Sequence, residues 1–300
     1  MGRRMMKRLM CGPKMSKSLT GKVALVTGAS RGIGKGIAVA LAREGATVYV
    51  TGRTVNEGDY YLPGTVGQTA ADCDAAGGKG VAVACDHADD TQVTALFAQI
   101  RDEHGRLDIL VNNAFALPDD LLEPTGFWEK PLSNWDMMDV GVRSNYFAAW
   151  YAAQIMVPQK SGLIINISGY AAVTYTYGVL FGTSKTAVGR MSRDMAIELK
   201  PHNVASVTLW QGLTLTEKAK DNLAKSAAKM TTSITGQKGS SVEHPGRVIA
   251  ALYNDTNLMQ RSGGEFITAE IAQDYGITDD DGTWVASMRE TRGSPLWQPV

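Results

Sequence analysis

The sequence predicts an α/β fold: a doubly wound parallel sheet with helices on both faces. Three observations predict it. Apolar runs of strand length alternate along the chain with longer runs of helical spacing. The first such run, Val23 to Val26, passes through glycines straight into an apolar helical stretch. The residues with chemistry in them fall just after the strand-like runs, where open α/β sheets hold ligands. No internal repeat or linker breaks the pattern, so residues 21–300 read as one domain with a C-terminal extension. A chain of 300 residues, 44% hydrophobic, suits one such domain.

The stretch VALVTGASRGIG, Val23 to Gly34, is the most informative. Glycines at 28, 32 and 34 permit a tight turn and a close approach of backbone to a ligand. The apolar run Ile37 to Leu41 follows as a helix. A strand that turns through glycines into a helix start presents free N–H groups and the positive end of the helix dipole, a seat for a diphosphate. The candidate dinucleotide-binding residues here are Gly28, Ser30, Arg31, Gly32, Ile33 and Gly34.

The second strand reads ATVYV, Ala46 to Val50, and ends in Thr51-Gly52-Arg53. In a dinucleotide fold an acid at this strand end binds the ribose 2′-hydroxyl, whereas an arginine accommodates a 2′-phosphate. Gly52 stands where an acid would, Arg53 follows, and Arg31 adds a second positive charge. The expectation is NADPH in preference to NADH. Residues 54–69 form a loop insertion. A third strand, Gly80 to Cys85, ends at Asp86-His87, where the acid is a candidate for the adenine end and His87 is either a loop residue or a cofactor contact. Thr91 to His104 is a helix. A fourth strand, Leu107 to Val111, ends at Asn112-Asn113-Ala114.

Residues 115–134 mix prolines, acids and aromatics, and Leu117, Leu121, Phe127 and Trp128 either line an apolar mouth or pack a loop. Asn134 to Val157 reads as one long helix. Gly162 to Ile167 is a fifth strand, Leu180 to Leu199 a helix and Val204 to Leu209 a sixth strand. Residues 213–245 are polar and helical in part. Glu265 to Thr268 is a last strand.

TGASRGIG, the Asn112-Asn113-Ala114 triplet and a late lysine, Lys185, together resemble the short-chain dehydrogenase/reductase family over residues 20–275. The stretches FWEKPLSNWDMMDVGVRSNYF and EFITAEIAQDYGITDDDG resemble one branch of it. The resemblance implies a Rossmann-type NAD(P)H oxidoreductase acting on carbonyls or alcohols, commonly a dimer or tetramer through the helices from Asn134 and Leu180. It also implies cofactor contacts at Asn113, Ala114, Lys185, Gly212, Thr214 and Thr216. Catalysis in the family uses Tyr-x-x-x-Lys, a serine and often an asparagine. The tyrosine exchanges the proton, and the lysine binds the nicotinamide ribose and lowers the tyrosine pKa.

This chain departs from that pattern. It reads Phe181-Gly182-Thr183-Ser184-Lys185, with no phenol at the first place. The serine position falls on Ser168 or Gly169, depending on the direction of counting. The asparagine position matches Gly141, and the usual Pro-Gly is Gln211-Gly212. Two functions follow. One is an NADPH-dependent reductase of a lipophilic carbonyl or alcohol with a displaced acid, for which Tyr175 and Tyr177 in the loop before Phe181 are candidates beside Tyr170. The other is a catalytically silent cofactor-binding protein. The sequence leaves open whether phenylalanine at 181 is native or an introduced replacement.

Charge is uneven. Residues 1–22 hold seven basic residues and no acid, which leaves 23 basic against 30 acidic residues in the body. An acidic body argues against a nucleic-acid partner. Residues 1–20 read as a disordered basic tail, with a second methionine at Met15. No run reaches the ~18 apolar residues of a membrane span, so no membrane partner is expected. Cys11, Cys73 and Cys85 have no metal spacing, so no metal site is expected and a reducing, cytoplasmic location is.

Overall fold

The computed structural model describes residues 17–225 and 238–300. Seven strands form one parallel sheet: β1 (Val23–Val26), β2 (Thr47–Gly52), β3 (Lys79–Ala84), β4 (Ile109–Asn112), β5 (Gly162–Gly169), β6 (Val204–Gln211) and β7 (Glu265–Ile267). Their order is β3-β2-β1-β4-β5-β6-β7. The chain therefore runs outward from β1 to β3, returns to lay β4 beside β1, and runs outward the other way. Ala24 pairs with Val48 on one side and Ile109 on the other. The reversal between β1 and β4 opens a crevice at their carboxyl ends, where a doubly wound sheet binds its ligand.

The helices in order are α1 (Gly32–Arg43), α2 (Val66–Ala76), α3 (Asp90–His104), α4 (Asp136–Met138), α5 (Ser144–Gln159), α6 (Val179–Leu199), α7 (Glu217–Lys225), α8 (His244–Asn254), α9 (Leu258–Arg261), α10 (Thr268–Asp274) and α11 (Arg289–Arg292). Local chemistry sets several ends. Thr65 caps α2 by accepting from the Gln68 N–H, and Asp89 caps α3 by accepting from the Thr91 N–H. Gly77 and Gly105 end the same helices in the left-handed region. Alternate strand residues supply the two main cores, one on each face of the sheet. Ala24, Val26, Val48 and Val50 face Ile37 and Leu41 of α1 and Val248 of α8. Val23, Leu25 and Tyr49 face Phe97 and Ile100 of α3 and Ala152 of α5.

The expected strands are all present, several shifted by one or two residues. β5 and β6 each run two residues further, so Ser168 and Gly169 lie in regular sheet opposite Trp210 and Gln211. The insertion is shorter than expected, because α2 begins at Val66. The long helix from Asn134 is corrected: a 3₁₀ turn (Leu132–Trp135), α4, a π turn (Asp139–Arg143) and α5 replace it. Two side chains bond backward onto the loosened carbonyls, Ser144 Oγ to Val140 O and Asn145 Nδ2 to Gly141 O. The tail boundary is corrected too. Residues 1–16 lie outside the described residues, but Leu19 is fully buried and its N–H donates to Glu44 O, so Lys17 to Thr20 belong to the body. Among the described residues no helix is long and apolar enough to cross a membrane.

Candidate active site

The glycine turn fills the β1–β4 crevice. Gly28 and Gly32 are left-handed, at φ +63° and +60°. A Cβ at Gly28 would lie 2.7 Å from Ala114 Cα, and one at Gly34 would lie 2.4 Å from Gly28 O, so neither place admits a side chain. Asn113 clamps the turn: its Nδ2 donates to Thr27 O at 2.9 Å and to Gly28 O at 3.0 Å. Thr27 Oγ1 accepts from the N–H groups of Asn113 and Ala114, both at 2.9 Å. Thr27 was not singled out in the sequence, although it precedes the first glycine. Asn112 points the other way, donating to Asn166 Oδ1 and to Asn145 O. Ser30 is buried and Ile33, in the first turn of α1, packs on the core.

The two arginines differ. Arg31 is tied into the insertion, donating to Pro63 O at 3.0 Å, Gly64 O at 2.6 Å and Thr54 Oγ1 at 3.1 Å, with the Tyr60 ring 4.8 Å away. Burial lowers its pKa, the nearby acids and tyrosines opposing. Arg53 is 71% exposed at the end of β2, its Nη1 4.0 Å from Asp86. Asp86 Oδ1 accepts from the Ala88 N–H. His87 is placed differently from the expected cofactor contact. It is buried beneath the strand ends, with Nε2 2.7 Å from Thr51 Oγ1, and burial lowers its pKa to about 4. It is a neutral prop for β2.

At the far end of the crevice Lys185 rises from α6. Burial lowers its pKa to about 8. Its Nζ lies 4.1 Å from the Phe115 ring centroid and 5.7 Å from that of Phe181, and 3.5 Å from Ile167 O. The rings of Phe115 and Phe181 meet edge to face at 5.5 Å. Phe115 also covers Gly141, where a Cβ would lie 2.5 Å from the ring. The lysine thus sits among aromatic faces, and the positions where the family pattern expects polar catalytic side chains hold Phe181 and Gly141. Phe115 carried no signal in the sequence, because its contacts are with residues 26 and more positions away.

Ser168 is buried, and its Oγ donates to Lys185 O at 2.9 Å, so its proton is committed to the backbone of α6. At Gly169 a Cβ would lie 3.3 Å from Gln211 O, a tight contact with backbone. Of the loop tyrosines, Tyr170 is buried and its hydroxyl accepts from the Met288 N–H. Tyr175 is 81% exposed. Tyr177 packs edge on against Phe181 at 5.2 Å, with its own backbone left-handed at φ +58°.

The segment after β6 reaches the glycine turn. Gly212 is exposed, while Thr214 is buried and bridges to Ser240. Thr216 Oγ1 caps α7 by accepting from the Ala219 N–H. Glu217, which lies in none of the sequence motifs, accepts from the Gly32 N–H at 2.9 Å.

Comparison with known proteins agrees with this geometry. Residues 22–227 match the family described as short chain dehydrogenase. The chain is 38% identical over 277 residues to dehydrogenase/reductase SDR family member 1 of Homo sapiens, covering 89% of this chain and 86% of that protein, and 39% identical to its Mus musculus counterpart. Among solved structures, a short-chain type dehydrogenase/reductase from Mycobacterium marinum matches with a TM-score of 0.71 and 28% identity over 83% of this chain and 94% of that one. A metagenomic short-chain oxidoreductase in complex with NADP matches with a TM-score of 0.66 and 28% identity, over 83% and 97%. The chain belongs to the short-chain dehydrogenase/reductase family of oxidoreductases.

Proposed function

We propose that this protein is an NADPH-dependent oxidoreductase that interconverts a carbonyl and an alcohol on a lipophilic substrate, with a weakened proton relay. One observation carries the reading: the glycine turn, locked by Asn113 and Thr27, delivers the start of α1 into the β1–β4 crevice, and the Glu217 carboxylate already sits on the Gly32 N–H there. An anion seat fits a dinucleotide diphosphate. Gly28, Ser30, Gly32, Ile33, Asn113 and Ala114 would hold that part, Asp86 the adenine end, and Gly212, Thr214 and Thr216 the segment that closes over it. Arg53, exposed at the end of β2, supports the choice of a 2′-phosphate. Arg31 contributes less, because three acceptors in the insertion already hold it.

When bound, the nicotinamide supplies the hydride, and the chain supplies position and a proton path. Lys185 holds positive charge beside the reacting centre and is the group to engage the ribose. Phe181 and Phe115 exclude water and present apolar faces, which favours a lipophilic substrate. A missing general acid costs about 10²–10⁴-fold, which slows a reductase without changing its class. A second reading, a silent cofactor-binding protein, draws on the fact that Phe181, Gly141 and the committed Ser168 leave Lys185 no partner hydroxyl among the described residues. We propose further that the chain acts as a homodimer or homotetramer through α5 and α6, since Tyr146 and Trp150, four residues apart on α5, and Ile197 on α6 are exposed.

Titration by nicotinamide fluorescence tests the cofactor choice. NADPH binds more tightly than NADH, and Arg53→Asp erases or reverses the preference. Equal affinity for both in the unaltered chain would refute it.

A further inference from the structure

The opening of α1 is closed by a carboxylate from 185 residues away. Arg31, at the N-cap position, offers α1 no side-chain cap, and its first turn has no acid. The Gly32 N–H donates to Glu217 Oε2 at 2.9 Å instead. A Cβ at Gly32 would meet the Thr216 methyl at 3.4 Å and that same Glu217 oxygen at 3.8 Å.

Neighbouring contacts hold Glu217 there. Thr216 caps the first turn of α7. Lys218 is hydrogen-bonded to the Tyr61 hydroxyl, with its ammonium 4.9 Å from that ring's centroid. Tyr61 packs on Tyr60 at 4.6 Å, and Tyr60 packs on Arg31. The glycine turn, the insertion and the start of α7 form one mesh across the crevice. A carboxylate and a diphosphate compete for the same N–H and the same positive helix end. Two anions do not share such a seat without strong repulsion.

We propose that Glu217 determines cofactor affinity: its carboxylate stands in for the dinucleotide's diphosphate at the opening of α1 and must withdraw before the diphosphate binds. This rests on the cofactor reading above and adds to it that binding opens the contact between α7 and the glycine turn. The part of the affinity used to displace Glu217 is missing from the measured Kd.

Calorimetric titration of the full chain and of Glu217→Ala tests it, with NADPH, inorganic pyrophosphate and adenosine as probes. The variant binds NADPH and pyrophosphate about tenfold more tightly, a change on the order of one charge-assisted hydrogen bond. Adenosine, which has no phosphate, binds both forms alike. Lys218→Ala, which keeps the carboxylate but frees α7 from Tyr61, tightens NADPH by a smaller factor and serves if Glu217→Ala does not fold. Unchanged or weaker NADPH binding in the folded variants overturns the role of Glu217 and leaves the cofactor reading standing. Failure of every form to bind NADPH overturns both.

Discussion

At Phe181 the ring beside Lys185 has no proton to give, and that single atom's absence sets the expected chemistry. Phe181→Tyr places a hydroxyl one helical turn from Lys185. Reductase turnover on reactive carbonyls then rises by about two orders of magnitude or more, and its pH profile gains an ionisation below the free tyrosine value of about 10. Steady-state kinetics on the variant measures both. If a loop tyrosine already supplies the proton, that change alters little and Tyr177→Phe abolishes turnover. Tyr177 is the one to test, because it touches Phe181 while Tyr170 serves Met288. His87 gives a second residue-scale expectation. Its folded pKa, about 4, lies below the ordinary value of 6.5, so below pH 6.5 the unfolded chain takes up a proton that the folded chain refuses. Stability from this group is complete above pH 6.5 and declines by about 1.4 kcal/mol per pH unit down to pH 4. Urea unfolding from pH 7.5 to 5 should show a shallower decline in His87→Gln than in the unaltered chain.

At the scale of elements, the π turn between α4 and α5 shapes the Lys185 end of the crevice. It presents Gly141, whose bare Cα admits the Phe115 ring, and that ring in turn reaches Lys185. Gly141→Ala therefore overpacks the contact and costs about 1–3 kcal/mol. Phe115→Leu should remove much of that cost, so the two substitutions are strongly non-additive in a double-mutant cycle read by chemical denaturation. Additive effects would show that Gly141 and Phe115 do not act as one contact. The break in the helix was not legible because Asn134 to Val157 carries an uninterrupted helical pattern. A ring from the loop after β4, Phe115, packs on Gly141 within that break, a contact that no local periodicity reports.

For the whole molecule, the body is anchored from Lys17 onward. Deleting residues 1–14 should leave thermal stability and NADPH affinity nearly unchanged, whereas Leu19→Ala, in the core beside α1, should cost about 2–5 kcal/mol. A thermal melt of both proteins checks this, and a large loss from the deletion alone would show that the tail folds onto the body. The glycine turn, the Asn113 clamp and α7 converge from the ends of β1, β4 and β6, so cofactor binding and the stability of the central sheet are expected to rise together.

The sequence by itself determined the alternation of strands and helices, the parallel sheet, the glycine turn and the lysine, because these rest on local periodicity and on residues with few conformational alternatives. It also raised the doubt over the proton relay, since Phe181 is visible without coordinates. Tertiary structure alone decided which polar groups are free. Ser168 donates to the Lys185 carbonyl, Arg31 is held by acceptors in the insertion, and His87 is buried against Thr51, none of which the sequence pattern reports. Glu217 reached α1 only through folding. Hydrogen-bond partners and burial depend on residues tens to hundreds of positions apart, and a sequence pattern reports only its near neighbours.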